Sequence, residues 1–120
     1  MNSKQFERVV ALLDGECAAI LLNRAESYAG EDRLENFKQI EALTGVPAPQ
    51  ACMVLQAKHI VALAKAIKEE KYADLEKYIV DIINYQRLLK AILVERYSAE
   101  LVRSDELPEA GYIHTLKRPV

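Results

Sequence analysis

Asp81 stands in the middle of the most apolar helical stretch of the chain, Tyr78-Ile79-Val80-Asp81-Ile82-Ile83-Asn84-Tyr85. Burying a lone carboxylate costs several kcal/mol or more unless a cation, a metal or hydrogen-bond donors compensate it. At helical spacing Lys77 and Asn84 share the face of Asp81, and Asp74 lies two turns back on it. A short polar stripe therefore crosses an otherwise apolar helix. Such a stripe serves one of two purposes. It is a satisfied core network, with Asp81 bonded to Lys77 or to a neighbouring helix, or it is a metal or phosphate site in a helical bundle.

Three further groups of residues carry chemistry. Gln56, Lys58 and His59 lie within an apolar helical sequence; Gln56 and His59 share a bearing with Cys52, whereas Lys58 falls with Lys65 and Glu69 on a solvent face. A polar residue turned inward there makes a compact cluster with Asp81, and His59 otherwise reads as a core or boundary histidine. The segment from Tyr28 to Phe37 is the second group. Tyr28 and Phe37 can bracket a flat ring while Arg33 and Asn36 donate hydrogen bonds, or the two aromatics simply staple a helix–helix corner. Acids able to join Asp81 at a cation are Glu16, Glu31, Asp32, Glu35, Glu69 and Glu70, each of which also reads as a solvated charge. Glu76, five positions from Asp81, is about 140° around the helix and is expected in solvent or turned to a different neighbour.

Composition narrows the classes. The 120 residues are 51% apolar and 28% charged, with formal net charge −2 and pI near 5.7. That is one domain of an ordinary globular protein, without the basic field that recruits nucleic acid or anionic lipid. Cys17 and Cys52 sit in apolar sequence without CxxC or zinc-ligand spacing and read as reduced, buried hydrophobes. No signal-like start and no run of roughly 18 apolar residues is present, so a cytoplasmic protein with no membrane partner is expected. Gly-rich phosphate loops, HExxH and GxSxG are lacking.

The elements that must position these groups are helices. Phe6, Val9, Val10, Leu13, Cys17, Ile20 and Leu21 recur every three or four residues in a first helix capped by Ser3 and stopped at Gly30. Gly15 within it implies a bend or a close helix contact. A second helix is expected from Asp32 to Leu43, ended by Gly45, and a rigid connector follows through Pro47 and Pro49. The third, rich in alanine (Ala51, Ala57, Ala62, Ala64, Ala66), runs to about Glu70 and is expected to be central. The fourth runs from Asp74 to about Val102, roughly 40 Å at 1.5 Å per residue. Its far end, carrying Leu88, Leu89, Ile92, Leu93 and Tyr97, must project or pack on another subunit. Residues 1–103 thus read as a helical bundle and 104–120 as a tail or arm, in which His114 reads as a surface histidine.

Taken together, Tyr28-Ala29-Gly30, Glu35-Asn36-Phe37, Lys58-His59-Ile60 and Asp81-Ile82-Ile83-Asn84-Tyr85 resemble small phage and prophage proteins. These are related to the all-α nucleoside triphosphate pyrophosphohydrolases, the MazG-like and dUTPase-like superfamily, and the resemblance spans roughly residues 20–95. It implies an all-α four-helix bundle assembled as a homo-oligomer, dimer or tetramer. It also implies magnesium held by acids on two helices against a triphosphate, with water releasing pyrophosphate. Asp81 matches the aspartate of the ExxD motif and would hold the metal. Lys58 and Asn84 would orient phosphate or water, and Tyr28, Arg33, Asn36, Phe37, His59 and Tyr85 would contact the nucleotide. Two departures stand out: Tyr78 replaces the ExxD glutamate, and Gln56–Lys65 carries lysines and a histidine where EExxE is expected. They remove most ligands of the standard metal site. The expectation is accordingly a magnesium-dependent pyrophosphohydrolase-like protein or, alternatively, a non-catalytic oligomeric adaptor or nucleotide-binding relic on the same fold. A phage structural component, which needs no pocket, is a third reading.

Overall fold

Asn2 and Gln5 open the first helix by exchanging hydrogen bonds: the Gln5 amide donates to Asn2 Oδ1 at 2.9 Å, and the Asn2 amide donates to Gln5 Oε1 at 2.8 Å. This reciprocal cap satisfies two otherwise orphaned donors. The cap is therefore Asn2, and Ser3, expected in that role, is the first helical residue. The computed structural model describes residues 1–27 and 32–101. Among them are four α-helices and no strand: α1 (Ser3–Ser27), α2 (Glu35–Thr44), α3 (Ala48–Lys68) and α4 (Leu75–Leu101), with a 3-10 turn (Tyr72–Asp74) before α4. The fold is all-α. Tyr28, Gly30, Glu31 and the 104–120 segment with His114 lie outside the described residues.

Asp32 does not begin α2. Its carboxylate accepts from the Leu34 amide at 2.9 Å and its carbonyl from the Glu35 amide at 3.2 Å, closing a turn that delays the helix to Glu35. Gly45 ends α2 at φ 77°, its amide bonded to the Glu41 carbonyl. α1 runs through Gly15 unbroken, and a methyl group there would meet nothing within 4 Å, so this glycine marks no close helix contact. The two glycines should respond oppositely to alanine. Gly15→Ala should gain about 0.5–1 kcal/mol through helix propensity, and Gly45→Ala should lose about 1–2 kcal/mol to left-handed strain, both read by urea unfolding.

α3 packs on both α2 and α4, while α1 packs on α4. The core joins Leu34, Phe37, Ala48, Cys52 and Ile92, with Leu55, Tyr85, Leu88 and Leu89 against it. Its Ile92 and Leu89 come from just past the middle of α4, so that stretch packs in the core with Leu34 and Phe37. Arg96 fixes the overlap by donating through Nη2 to both Glu41 carboxylate oxygens at 2.8 Å, and Lys38 bridges Asp32 and Glu95. Within α3, Ala48, Ala51 and Ala66 are buried but Ala57 and Ala64 are exposed, so only part of the small-residue set serves this packing. Among the described residues no helix is long and apolar enough to cross a membrane.

Candidate functional site

α4 is inverted around Asp81. Ile79 is 37% exposed, whereas Asp81 and Asn84 are 4% exposed, so an aliphatic residue faces outward while two polar ones face inward. Of the expected stripe, Asp74 and Lys77 stay in solvent and only Asp81 and Asn84 are buried. Asp81 meets α3 rather than pairing with Lys77: its Oδ2 lies 3.3 Å from His59 Nδ1. The His59 ring in turn packs on Tyr85, with centroids 5.1 Å apart and a 45° tilt.

The bearing shared by Cys52, Gln56 and His59 faces this part of α4 throughout. The Cys52 thiol donates to the Tyr85 carbonyl at 3.5 Å, and Gln56 Nε2 donates to the Ile82 carbonyl at 3.4 Å. Gln86 Nε2 donates to Gln56 Oε1 at 2.6 Å. A buried polar seam thus runs along the α3–α4 contact, each member bonded, as burial requires. On the other side, Asn84 Nδ2 donates to the Cys17 carbonyl at 3.0 Å and Asn84 Oδ1 accepts from Arg87 at 3.4 Å, tying α4 to α1. Burial pushes both the Cys17 and Cys52 thiols up, which keeps them protonated and inert.

Two cavities meet Asp81 from opposite sides. The first, about 110 Å³, draws its walls from all four helices and the approach to α2. Arg33, Asn36, Asp81 and Asn84 supply polar atoms, and Phe37, Tyr85, Leu21, Leu55 and Leu88 supply the apolar surface. Few polar groups converging on an apolar, partly aromatic cleft is the lining of a small-molecule site, here in a volume below the roughly 300–1,000 Å³ typical of one. Arg33 is oriented by donating through Nη2 to the Leu21 carbonyl at 3.0 Å. Six of the residues singled out in the sequence therefore line one space: Arg33, Asn36, Phe37, Asp81, Asn84 and Tyr85. His59 stands behind them through Asp81 and Tyr85. Lys58 is exposed and does not line the cavity, in keeping with its solvent bearing and against a role at phosphate. Phe37 is part of the core, and its supposed partner Tyr28 is outside the described residues.

The second cavity, about 260 Å³, is lined by Glu16 and Ile20 of α1 and by Ala73, Glu76, Lys77, Val80 and Asp81. Glu76, expected apart from Asp81, shares this space because Glu16 of α1 engages it. A hydrogen bond to Glu76, then burial, then the Glu76 charge raise the Glu16 carboxyl above its ordinary range. A raised carboxyl favours the folded state while protonated. Its stabilising contribution is complete in weak acid and lost as pH rises through the raised value. Urea midpoints should therefore fall between weak acid and neutrality, and Glu16→Gln should flatten that dependence.

Of the other acids proposed to join Asp81, Asp32 and Glu69 are bound to Lys38 and Lys71, and Glu35 accepts from Gln39. Among the described residues no three His, Cys, Asp or Glu side chains are arranged to hold a metal ion.

No family model, curated protein or solved structure matches the chain.

Gln86, Arg87 and the pairing of Glu16 with Glu76 are the neighbours of the site that sequence reasoning passed over. Arg87 carried a signal, being one turn beyond Asn84 on its face. Glu76 carried none, since its position depends on where α1 docks.

Proposed function

We propose that this protein is a nucleotide-binding member of the pyrophosphohydrolase-like all-α bundles, assembled as a homo-oligomer and acting without a catalytic metal site of its own. The observation that carries this reading is the first cavity. Residues scattered over fifty positions of the sequence, from Arg33 to Tyr85, line it together. Arg33 and Asn36 offer donors to phosphate or a base edge, while Phe37 and Tyr85 offer aromatic surface to a ring. A cavity of this make-up also speaks against a purely structural component, which needs none.

Two features favour binding over hydrolysis. The acidic positions of the resembled family are occupied by Tyr78 and by the lysines and histidine of α3. The remaining aspartate is engaged by His59. The feature on the side of a magnesium-dependent hydrolase is that Glu16 and Glu76 line a cavity with Asp81. Calorimetry with nucleoside mono- and triphosphates, run beside a pyrophosphate-release assay in magnesium, separates the two. Saturable binding without pyrophosphate supports the reading given. Magnesium-dependent release abolished by Asp81→Asn would replace it with the hydrolase, and absence of binding would reject both.

A further inference from the structure

α3 presents a second face that its own fold leaves open. Met53, Ala57, Ile60, Ala64 and Ile67 recur at alternating spacings of four and three, the repeat of a helix–helix seam, and all are exposed. Met53 and Ile60 are each 46% exposed and Ile67 55%, with Val54 and Val61, at 67%, forming one flank. Gln50 and Lys71 close the stripe at its two ends with polar side chains. Gln56 borders this face on its inner flank and Met53 Sδ accepts from Gln86 of the same subunit at 3.9 Å, while His59 and Cys52 lie farther round on the inner side.

We infer that a second copy of the chain covers this face, its α3 antiparallel to the first about a two-fold axis at Ile60. Three observations single out this occupant and geometry. The stripe is close to palindromic: reversal about Ile60 sets Met53 against Ile67 and brings Ala57 within one residue of Ala64, which approximates the self-complementarity that a two-fold interface demands. The alanines between larger residues let the two backbones approach. The available flank decides the direction. In a parallel pair the valine flank must meet the partner's opposite flank, Gln56 and Leu63, but Gln56 is 2% exposed and bonded within its own subunit. In an antiparallel pair like flanks meet, so valine packs on valine.

The area is adequate. The seven side chains expose on the order of 500 Å² per copy, so pairing buries on the order of 1,000 Å², the lower bound of a specific interface. The three lysines of this helix, Lys58, Lys65 and Lys68, lie beside or at the edge of the seam, where their ammonium groups stay in solvent. This inference specifies the face of the oligomer proposed above. Its failure leaves nucleotide binding untouched, because the seam and the first cavity share no residue.

The test uses the full chain in sedimentation equilibrium and disulfide cross-linking, with Cys17 and Cys52 buried and out of reach. The wild type should be dimeric or a multiple of it, and Ile60→Asp should dissociate this contact with unchanged helicity and unchanged nucleotide affinity. Under oxidation Ile60→Cys should give a covalent dimer. Met53→Cys alone should not, since two copies of position 53 lie about 20 Å apart along antiparallel axes. A mixture of Met53→Cys and Ile67→Cys chains should cross-link. A monomeric wild type, an Ile60→Asp variant that assembles normally, or self-linking at position 53 would overturn the inference.

Discussion

His59→Ala should cost about 2–4 kcal/mol of folding free energy, seen as a lower urea midpoint at unchanged slope. The change removes a side chain 3.3 Å from a carboxylate that is almost entirely buried. Losing one partner of a buried pair removes part of the compensation of the carboxylate left inside, and that penalty exceeds the worth of the contact itself. The figure is set below that of a fully enclosed pair because the His59 side chain is 19% exposed, so water reaches part of the gap. A second substitution isolates the cause. Asp81→Asn in the His59→Ala background removes the under-compensated carboxylate, and the double variant should be more stable than His59→Ala alone. A double variant less stable than the single one would show that ring packing on Tyr85, not the carboxylate, carries the effect.

Arg33→Ala should weaken nucleotide binding about 10- to 100-fold, equivalent to about 1.4–2.8 kcal/mol, in calorimetric titrations. The guanidinium lines the first cavity and is held there by the Leu21 carbonyl, so it meets a ligand already oriented. Lys58→Ala is the matched control. It also removes a cation, but from solvent, and should change the affinity by less than about twofold at moderate salt. Equal losses for the two variants would mean that net charge, not the cavity, attracts the nucleotide.

Much of this arrangement was legible in the sequence because it follows from helical period. Cys52, Gln56 and His59 share a bearing, and Asp81 and Asn84 share another. Placing these two bearings face to face requires only that α3 and α4 pack. The connector through Pro47 and the stop at Gly45 were legible for the same local reasons. What depended on docking between helices was not. Lys77 and His59 were both sterically available to Asp81, and the choice was made by the packing of α3. Glu76 is exposed, as expected, but the neighbour it turns to, Glu16 of α1, depends on docking. Boundaries failed where side chains competed with the backbone: Asn2 took the cap expected of Ser3, and Asp32 closed a turn in place of the first turn of α2. The far end of α4 was expected to need a partner because its length was visible, whereas the Arg96–Glu41 and Lys38 bridges that fold α2 onto it were not. Apolar side chains are instead left exposed on α1, from Phe6 to Leu22, and on α3, at Ile60 and its neighbours.

The central claim is that the space beside Asp81 receives a nucleotide. Side-chain amide and guanidinium resonances of Asn36, Asn84 and Arg33 report on its walls directly, and all three can be followed in a nitrogen-edited spectrum as a nucleoside triphosphate is added. Saturable shifts concentrated on these groups and on Tyr85, with Lys58 and the outer face of α3 unmoved, are the predicted result. Spectra that stay unchanged with ligand in large excess, or shifts confined to surface lysines, would contradict it.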